Sequence, residues 1–293
     1  MVLSELSLEE YAILERGNGG TVVESGGVYW RAVRPFFYQP LALFGQYPGR
    51  LTEGPPLSWL GGWQHAVPTG ERGNSSLRLI FFDHASQYSL EKSVGTRRRE
   101  RLKSALRDLA VRAIHDPAQL VKEAYPVYRD FHQRTGFQCM RDRSSIEGFQ
   151  GWADRLYKSG KLYVYGAYAA GNLEAVSVCY RLQSTLVFAA SFCSTRSLAL
   201  WSSDLMVHHA RETAAADPCI QRVFATRYRG GGGIDQFYLN RGASVITLPA
   251  WLQINPVADH LLAFANPVAH RGLWGIEEGY RDDSPQSERR LAP

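Results

Sequence analysis

The chain has 293 residues, of which 45% are hydrophobic, 12% aromatic and 21% charged, a balance that excludes extensive disorder and suits one large packed domain or two small ones. No run approaches the roughly 18 uninterrupted apolar residues of a membrane-spanning helix, and the N-terminus lacks the basic start and long apolar core of a secretory signal, so the expected location is the cytoplasm. The formal net charge of +5 is a mild basic excess that favours an anionic ligand, whether a nucleotide, a nucleic acid or a membrane surface.

Residues 17–75 are rich in turn formers and aromatics, with Gly-Gly at 26–27 and 61–62 and Pro-Pro at 55–56. Short β-branched and aromatic runs at 28–33 and 77–82 predict strands, so residues 1–88 read as a β-rich region. From residue 89 the character changes: Leu102, Ala105, Leu106, Leu109 and Ala113 recur on a helical period across 96–113, against a face crowded with cations. Asp116 is placed to cap a second helix that Pro117 opens, with Leu120, Ala124, Val127 and Phe131 as its apolar stripe. A third helix over 145–158 ends at Gly160.

Strands at 162–169, 173–181 and 185–192 are separated by short turns and suit an antiparallel meander. Ser202 or Ser203 is expected to cap a helix over 204–216. A strand at 221–228, a helix opened by four glycines at 230–233 and running to Asn240, and a strand at 244–252 complete a second region, 89–255. Residues 256–293 form a C-terminal extension whose polar end, 281–290, is expected to be disordered.

Cys139, Cys179, Cys193 and Cys219 show no C-x-x-C spacing, so neither a metal site nor a redox pair is expected, and buried free thiols are the simpler reading. His208 and His209 are neighbours on a helix and point in different directions, which makes no metal site. The glycine run at 230–233 is not followed by Gly-Lys-Ser/Thr and is no P-loop. It reads either as a loop that lets the backbone approach a ligand or as a plain connector.

The order helix, helix, three antiparallel strands, helix, strand, short helix, strand is an α+β pattern. With Arg97-Arg98-Arg99-Glu100-Arg101-Leu102-Lys103, the Tyr128-x-x-Phe131-His132 run, the turn Ala170-Gly171-Asn172-Leu173 and Phe237-Tyr238-Leu239-Asn240-Arg241-Gly242, the chain resembles the GNAT-like acyltransferase superfamily over about residues 88–250. It is most similar in kind to the FemAB-like members, which include peptidoglycan aminoacyl transferases and proteins of exopolysaccharide clusters. The resemblance implies a mixed, mostly antiparallel sheet flanked by helices, with residues 1–88 as a reduced first GNAT-like domain and 89–255 as the acyltransferase domain.

It also implies that the strands at 185–192 and 221–228 splay and hold an activated donor, either acyl-CoA or aminoacyl-tRNA. Ala190 and Ser191 would offer main-chain groups, Ser194, Thr195, Arg196 and Ser203 would lie near the donor's phosphates, and Arg229 and Gly231 would face them across the gap. Ordinary GNAT enzymes carry a glycine-rich phosphate loop here, whereas this chain has Arg196-Ser-Leu-Ala-Leu-Trp-Ser-Ser203, and FemAB-like members lack the loop as well. Tyr238 stands at the position of the family's tyrosine acid, with Asp235 and Glu174 as candidate bases. No tightly bound cofactor or metal is implied, and the acceptor would be an amine or hydroxyl of a cell-envelope or polysaccharide precursor.

Arg97, Arg98 and Arg101 read either as a clamp for phosphates of a tRNA, a nucleotide sugar or a lipid-linked diphosphate, or as a solvated helix face. Peripheral contact with a membrane is compatible with the same basic surface. Two rivals stay open beside the transferase: a non-catalytic module that kept the fold and a basic surface, and nucleic-acid binding through the arginine-rich helix.

Overall fold

In the computed structural model, which describes residues 2–49, 51, 53–136 and 143–275, one sheet of 11 strands runs through the chain. The first region supplies α1 (Leu8–Gly17), β1 (Val22–Ser25), β2 (Val28–Arg34), β3 (Phe37–Pro40), β4 (Gly62–Ala66) and β5 (Ser75–Phe82). Next come α2 (Leu90–Ser93), α3 (Thr96–Asp108), β6 (Ala110–Ala113), α4 (Pro117–Thr135), α5 (Ile146–Lys158), β7 (Tyr163–Ala169), β8 (Asn172–Leu182) and β9 (Thr185–Cys193). The chain continues through α6 (Ser202–Ala215), β10 (Arg222–Arg227), α7 (Gly233–Leu239), β11 (Ser244–Ile254), α8 (Pro256–Ala265) and α9 (Pro267–Trp274).

The strand order is β1-β2-β3-β4-β11-β5-β10-β9-β8-β7-β6. Only β3–β4 and β9–β10 pair in parallel among the described strands, so the fold is α+β with a mostly antiparallel sheet flanked by helices. The sheet continues across the boundary expected at residue 88, because β5 is hydrogen-bonded between β10 and β11. The N-terminal region therefore lends a central strand to the part of the sheet that the later region builds.

Helices cover both faces. On one, Leu205, Met206 and Ala210 of α6 pack with Tyr165, Cys179 and Leu186 of the sheet. On the other, Leu120 and Tyr128 of α4 and Phe149 and Trp152 of α5 close over Val164, Val176 and Phe192, while α1 and residues 41–44 cover Leu79, Tyr180 and Val187. Burial on both faces accounts for the nearly continuous apolar run of β8, which does not alternate.

Local chemistry sets several boundaries. Ser7 and Glu10 form a reciprocal capping box on α1. The Asp116 carboxylate accepts from the Gln119 amide at 2.7 Å, Pro117 starts α4, and Gly136 ends it in the left-handed region at φ 60°.

Four expectations change. The helix expected over 96–113 stops at Asp108, and its last residues become edge strand β6, which pairs with β7; the open edge of β7 outweighs local helical preference. The α6 N-cap is Trp201 in a left-handed conformation, and neither Ser202 nor Ser203 caps. Their hydroxyls contact Ser197 Oγ at 2.8 Å and Cys193 Sγ at 3.5 Å instead. Residues 256–275 form two helices, and Cys219 is exposed while Cys179 and Cys193 are buried. Cys139 and the polar tail at 281–290 lie outside the described residues.

Candidate active site

β9 and β10 pair at three positions, Thr185 with Arg222, Leu186 with Val223 and Val187 with Phe224, and then part. β9 stays bonded to β8 as far as Cys193, and β10 stays bonded to β5 as far as Arg227. Beyond Val187 and Phe224, the edges that face each other have no ladder.

Both strands carry a bulge where they separate. Val178 pairs with Ala190 and Cys179 with Phe188, which leaves Ala189 as the extra residue of β9. Phe224 pairs with Phe81 and Thr226 with Ile80, which leaves Ala225 as the extra residue of β10. A bulge bends its strand and increases the local twist, so bulges in the two outer pairings steer the strands apart. Burial records the result: Thr185 through Phe188 are buried, whereas Ala189 and Ser191 are exposed in the middle of the sheet. The unpaired main-chain donors and acceptors along this gap can bond an extended ligand.

The gap opens into a cavity of about 1720 Å³ on the α1 side of the sheet. Phe188, Ala190, Ala225 and Arg227 line it from the two parted strands, Trp152 and Leu156 from α5, and Leu262 from α8. Seven arginines reach its walls against one carboxylate, Glu15, among the described residues. That imbalance points to an anionic occupant.

The arginines differ in how they are held. Arg31 pairs with Glu15 at 3.0 Å, and Arg78 lies 4.3 Å over the Tyr228 ring. Arg227 is half-buried, and its guanidinium has no hydrogen-bond or ion-pair partner among the described residues. Burial, followed by the neighbouring Arg229 charge, lowers its pKa. A cation so placed gains from an incoming phosphate or carboxylate.

Across the sheet, on the α6 face, the charges are matched. Asp204, in the first turn of α6, pairs with Arg98 Nε at 3.1 Å and Arg241 Nη2 at 2.8 Å. Arg101 stacks 4.1 Å over Trp201, and Arg97 is exposed. Arg98 and Arg101 therefore each have a protein partner.

The segment after β9 is also fixed. Glu174 is 2% exposed; it accepts from Ser194 Oγ at 2.6 Å and pairs with Arg196. Thr195 donates its amide and its hydroxyl to Asp130 of α4. Arg196 does not line the cavity, and Ser203 is engaged with Cys193 as described.

Asp235 is completely buried and accepts from the amides of Arg229 and Gly231, both at 2.8 Å. Those bonds fold the glycine run, in which Gly230 at φ 103° and Gly231 at φ 89° occupy conformations that side chains resist. The Tyr238 ring meets Phe82 and Phe188 edge-on, each at 6.3 Å between centroids. Its hydroxyl makes no hydrogen bond among the described residues, and burial raises its pKa, so it keeps its proton at neutral pH.

Other reactive groups serve the core. Burial pushes His208 and His209 down to about 4, and they contact the hydroxyls of Tyr88 at 2.7 Å and Tyr163 at 2.9 Å. Burial pushes the Cys179 thiol up to about 12. No cluster suited to a metal ion occurs among the described residues. Sequence reasoning missed Arg227 and Arg78: Arg78 interrupts the apolar end of β5, but Arg227 closes a strand that also begins with an arginine, and nothing local sets it apart.

No family model and no curated protein matches the sequence, but solved structures do. The C-terminal domain of a lysylphosphatidylglycerol synthetase from Agrobacterium fabrum superposes with a TM-score of 0.57 at 13% identity, over 91% of this chain and 93% of that one. FemX gives 0.55 at 9% identity over 87% and 93%, and a Bacteroides thetaiotaomicron protein of unknown function gives 0.53 at 11% over 84% and 88%. The fold is GNAT-like. At these identities the likeness is one of architecture, and it extends over nearly the whole chain, including the N-terminal region that contributes β5. The GNAT-like sheet here has its parting between β9 and β10, the strands where the resemblance implied a splay.

Proposed function

We propose that the protein is an acyltransferase that moves an acyl or aminoacyl group from an activated donor to an amine or hydroxyl of an anionic envelope or polysaccharide precursor. The parting of β9 and β10 carries this reading. The amide-bearing arm of a thioester, or the amino group and carbonyl of an aminoacyl ester, finds there two unsatisfied strand edges, with small side chains at Ala189, Ala190 and Ala225 leaving room between them.

Ala190 and Ser191 line the donor's path on β9, while Arg229 and Gly231 fix the opposite rim. Ser194, Thr195, Arg196 and Ser203 brace the end of β9 beside it. Tyr238, protonated and in edge contact with Phe188, gives its proton to the departing thiolate or alkoxide and regains one that the acceptor's amine or hydroxyl loses as its bond to the acyl carbon forms. Glu174 and Asp235 act as supports, since one holds the turn after β9 and the other the glycine run. The arginines of the cavity recognise the acceptor's negative charge. A structural neighbour named for lysylphosphatidylglycerol, an amino acid joined to a phosphate-bearing lipid, is in keeping with that pairing.

Asp204 bears on the choice of donor. A helix N-terminus ordinarily attracts a diphosphate, but the first turn of α6 already carries this buried carboxylate, hydrogen-bonded to Arg241 and ion-paired with Arg98. That favours aminoacyl-tRNA, which does not need a diphosphate seated there, over acyl-CoA.

Thermal shift with each donor tests the reading. A ligand at about 100 times its Kd adds about 2.7 kcal/mol of stability. Stabilisation by aminoacyl-tRNA, lost in Ala190→Phe, is the expected result. Stabilisation by acyl-CoA alone would reverse the choice of donor, and silence with both would favour the non-catalytic module.

A further inference from the structure

Large apolar side chains exposed to solvent are scattered singly over most of the surface, with one exception. Val257, Leu261 and Phe264 of α8 and Val268 of α9 are 67%, 61%, 89% and 60% exposed within a single helical hairpin. Phe36, Leu57, Trp59 and Leu60 add a second group, with Trp59 at 68%. The two groups are joined: Asn255, the α8 N-cap, donates its amide to Gly61 O and its side-chain nitrogen to Trp59 O, both at 2.9 Å. Gly62 in turn donates to Phe36 O at 3.0 Å. A contiguous apolar rim on a water-exposed face marks an interaction site.

The hairpin is firmly placed although its outer surface is bare. Leu273 of α9 is buried, and its carbonyl accepts from Gln64 Nε2 at 2.9 Å and Ser75 Oγ at 2.6 Å, which fastens α9 to β4 and the start of β5. α8 has no buried residue at all, yet its sequence Pro-Val-Ala-Asp-His-Leu-Leu-Ala-Phe-Ala carries only one acid. That acid, Asp259, is taken up by His270 at 2.9 Å and Trp274 at 2.8 Å. A short helix of this composition needs an apolar partner.

The chain's own remaining residues are a poor match for that role. Residues 276–293 contain eight charged side chains, with Ile276, Tyr280 and Leu291 as their large apolar residues. The surrounding charge is positive, because the cavity that α8 and α9 wall on one side and Pro35 and Gly61 on the other is the arginine-lined one. None of the described helices is long and apolar enough to cross a bilayer. An interfacial surface that combines Trp, Phe and Leu with nearby arginines suits insertion at the level of anionic headgroups.

We propose that this face docks on an anionic phospholipid bilayer, with α8, α9 and residues 57–60 inserted among the headgroups and the arginine-lined cavity opening toward the membrane. Docking requires no donor and no turnover, so it is separable from the acyl-transfer reading.

Flotation of the full chain with vesicles of phosphatidylcholine, alone or mixed with phosphatidylglycerol, tests it. The chain should float with the mixed vesicles, less so as salt is raised, and Phe264→Glu and Trp59→Glu should each weaken binding at least about tenfold. Ile13→Glu, at a position exposed on α1 outside the patch, should bind as the parent does, and all three variants should keep the parent's melting temperature. A parent chain that stays unbound, or a Phe264→Glu variant that floats equally well, overturns the proposal. So does a dimer that Phe264→Glu dissociates while vesicles remain unbound, because a second copy would then be the partner of this face.

Discussion

The two faces of the sheet around the gap treat charge in opposite ways. On the α6 face, Arg98 and Arg241 close on Asp204, and Arg101 lies over Trp201; at the end of β9, Arg196 closes on Glu174. On the cavity face, seven arginines meet one carboxylate, and Arg227 is half-buried without a protein partner among the described residues. Burying an ion is costly unless a counter-ion or hydrogen bonds compensate it. The matched charges thus hold helices and turns in place, and Arg227 is available to a ligand.

The largest test removes a counter-ion on the matched face. Asp204→Ala leaves two guanidiniums without their shared partner and should cost about 3–5 kcal/mol, read as a lowered urea midpoint. A loss below about 1 kcal/mol, the range of surface pairs, would break the contrast between the faces.

Acid provides the next test. An unfolded histidine takes up a proton near 6.5, whereas His208, buried in α6, resists protonation down to about 4. The unfolded chain therefore binds more protons between these values. The contribution of His208 should be intact above about pH 6.5 and decline toward pH 4, by about 3 kcal/mol. His208→Gln should flatten that part of the stability profile.

Two smaller effects concern function. Tyr238→Phe should lower kcat about 100-fold with KM little changed, the signature of a lost proton donor; an unchanged kcat would return Tyr238 to a packing role. Arg227→Gln should weaken binding of pyrophosphate, used as an anionic probe in calorimetry, about tenfold, in line with loss of one charge-assisted contact. Its stability should equal or exceed the parent's, since an unpaired half-buried charge is removed. Arg97→Gln, on the other face, should leave probe binding unchanged and so sharpen the comparison.

The readable parts of the sequence were those governed by local rules. Asp116-Pro117 and Gly136 bracket α4, and the short turns at 170–172 and 183–184 separate β7, β8 and β9 within a residue or two. Structure that depends on distant partners was not legible. Residues 110–113 continue a helical pattern until β7 recruits them, and β1, β3 and β4 are short strands whose identity comes from their neighbours. The same limit applied to the site. Arg98, Arg101 and Arg196 look available in sequence because Asp204, Trp201 and Glu174 lie far along the chain. Arg227 looks ordinary for the converse reason, as no pattern reveals a missing partner.

The position of β5 has a further consequence for how the protein is made. Residues 75–82 leave the ribosome well before their two neighbours in the sheet, 222–227 and 244–254. The middle of the sheet cannot close until these distant segments have met, a long-range event that slows folding and leaves strand edges exposed meanwhile. Residues 89–255 expressed alone would lack the strand that supports β10, so the wall of the gap depends on residues 75–82 as much as on the region after them.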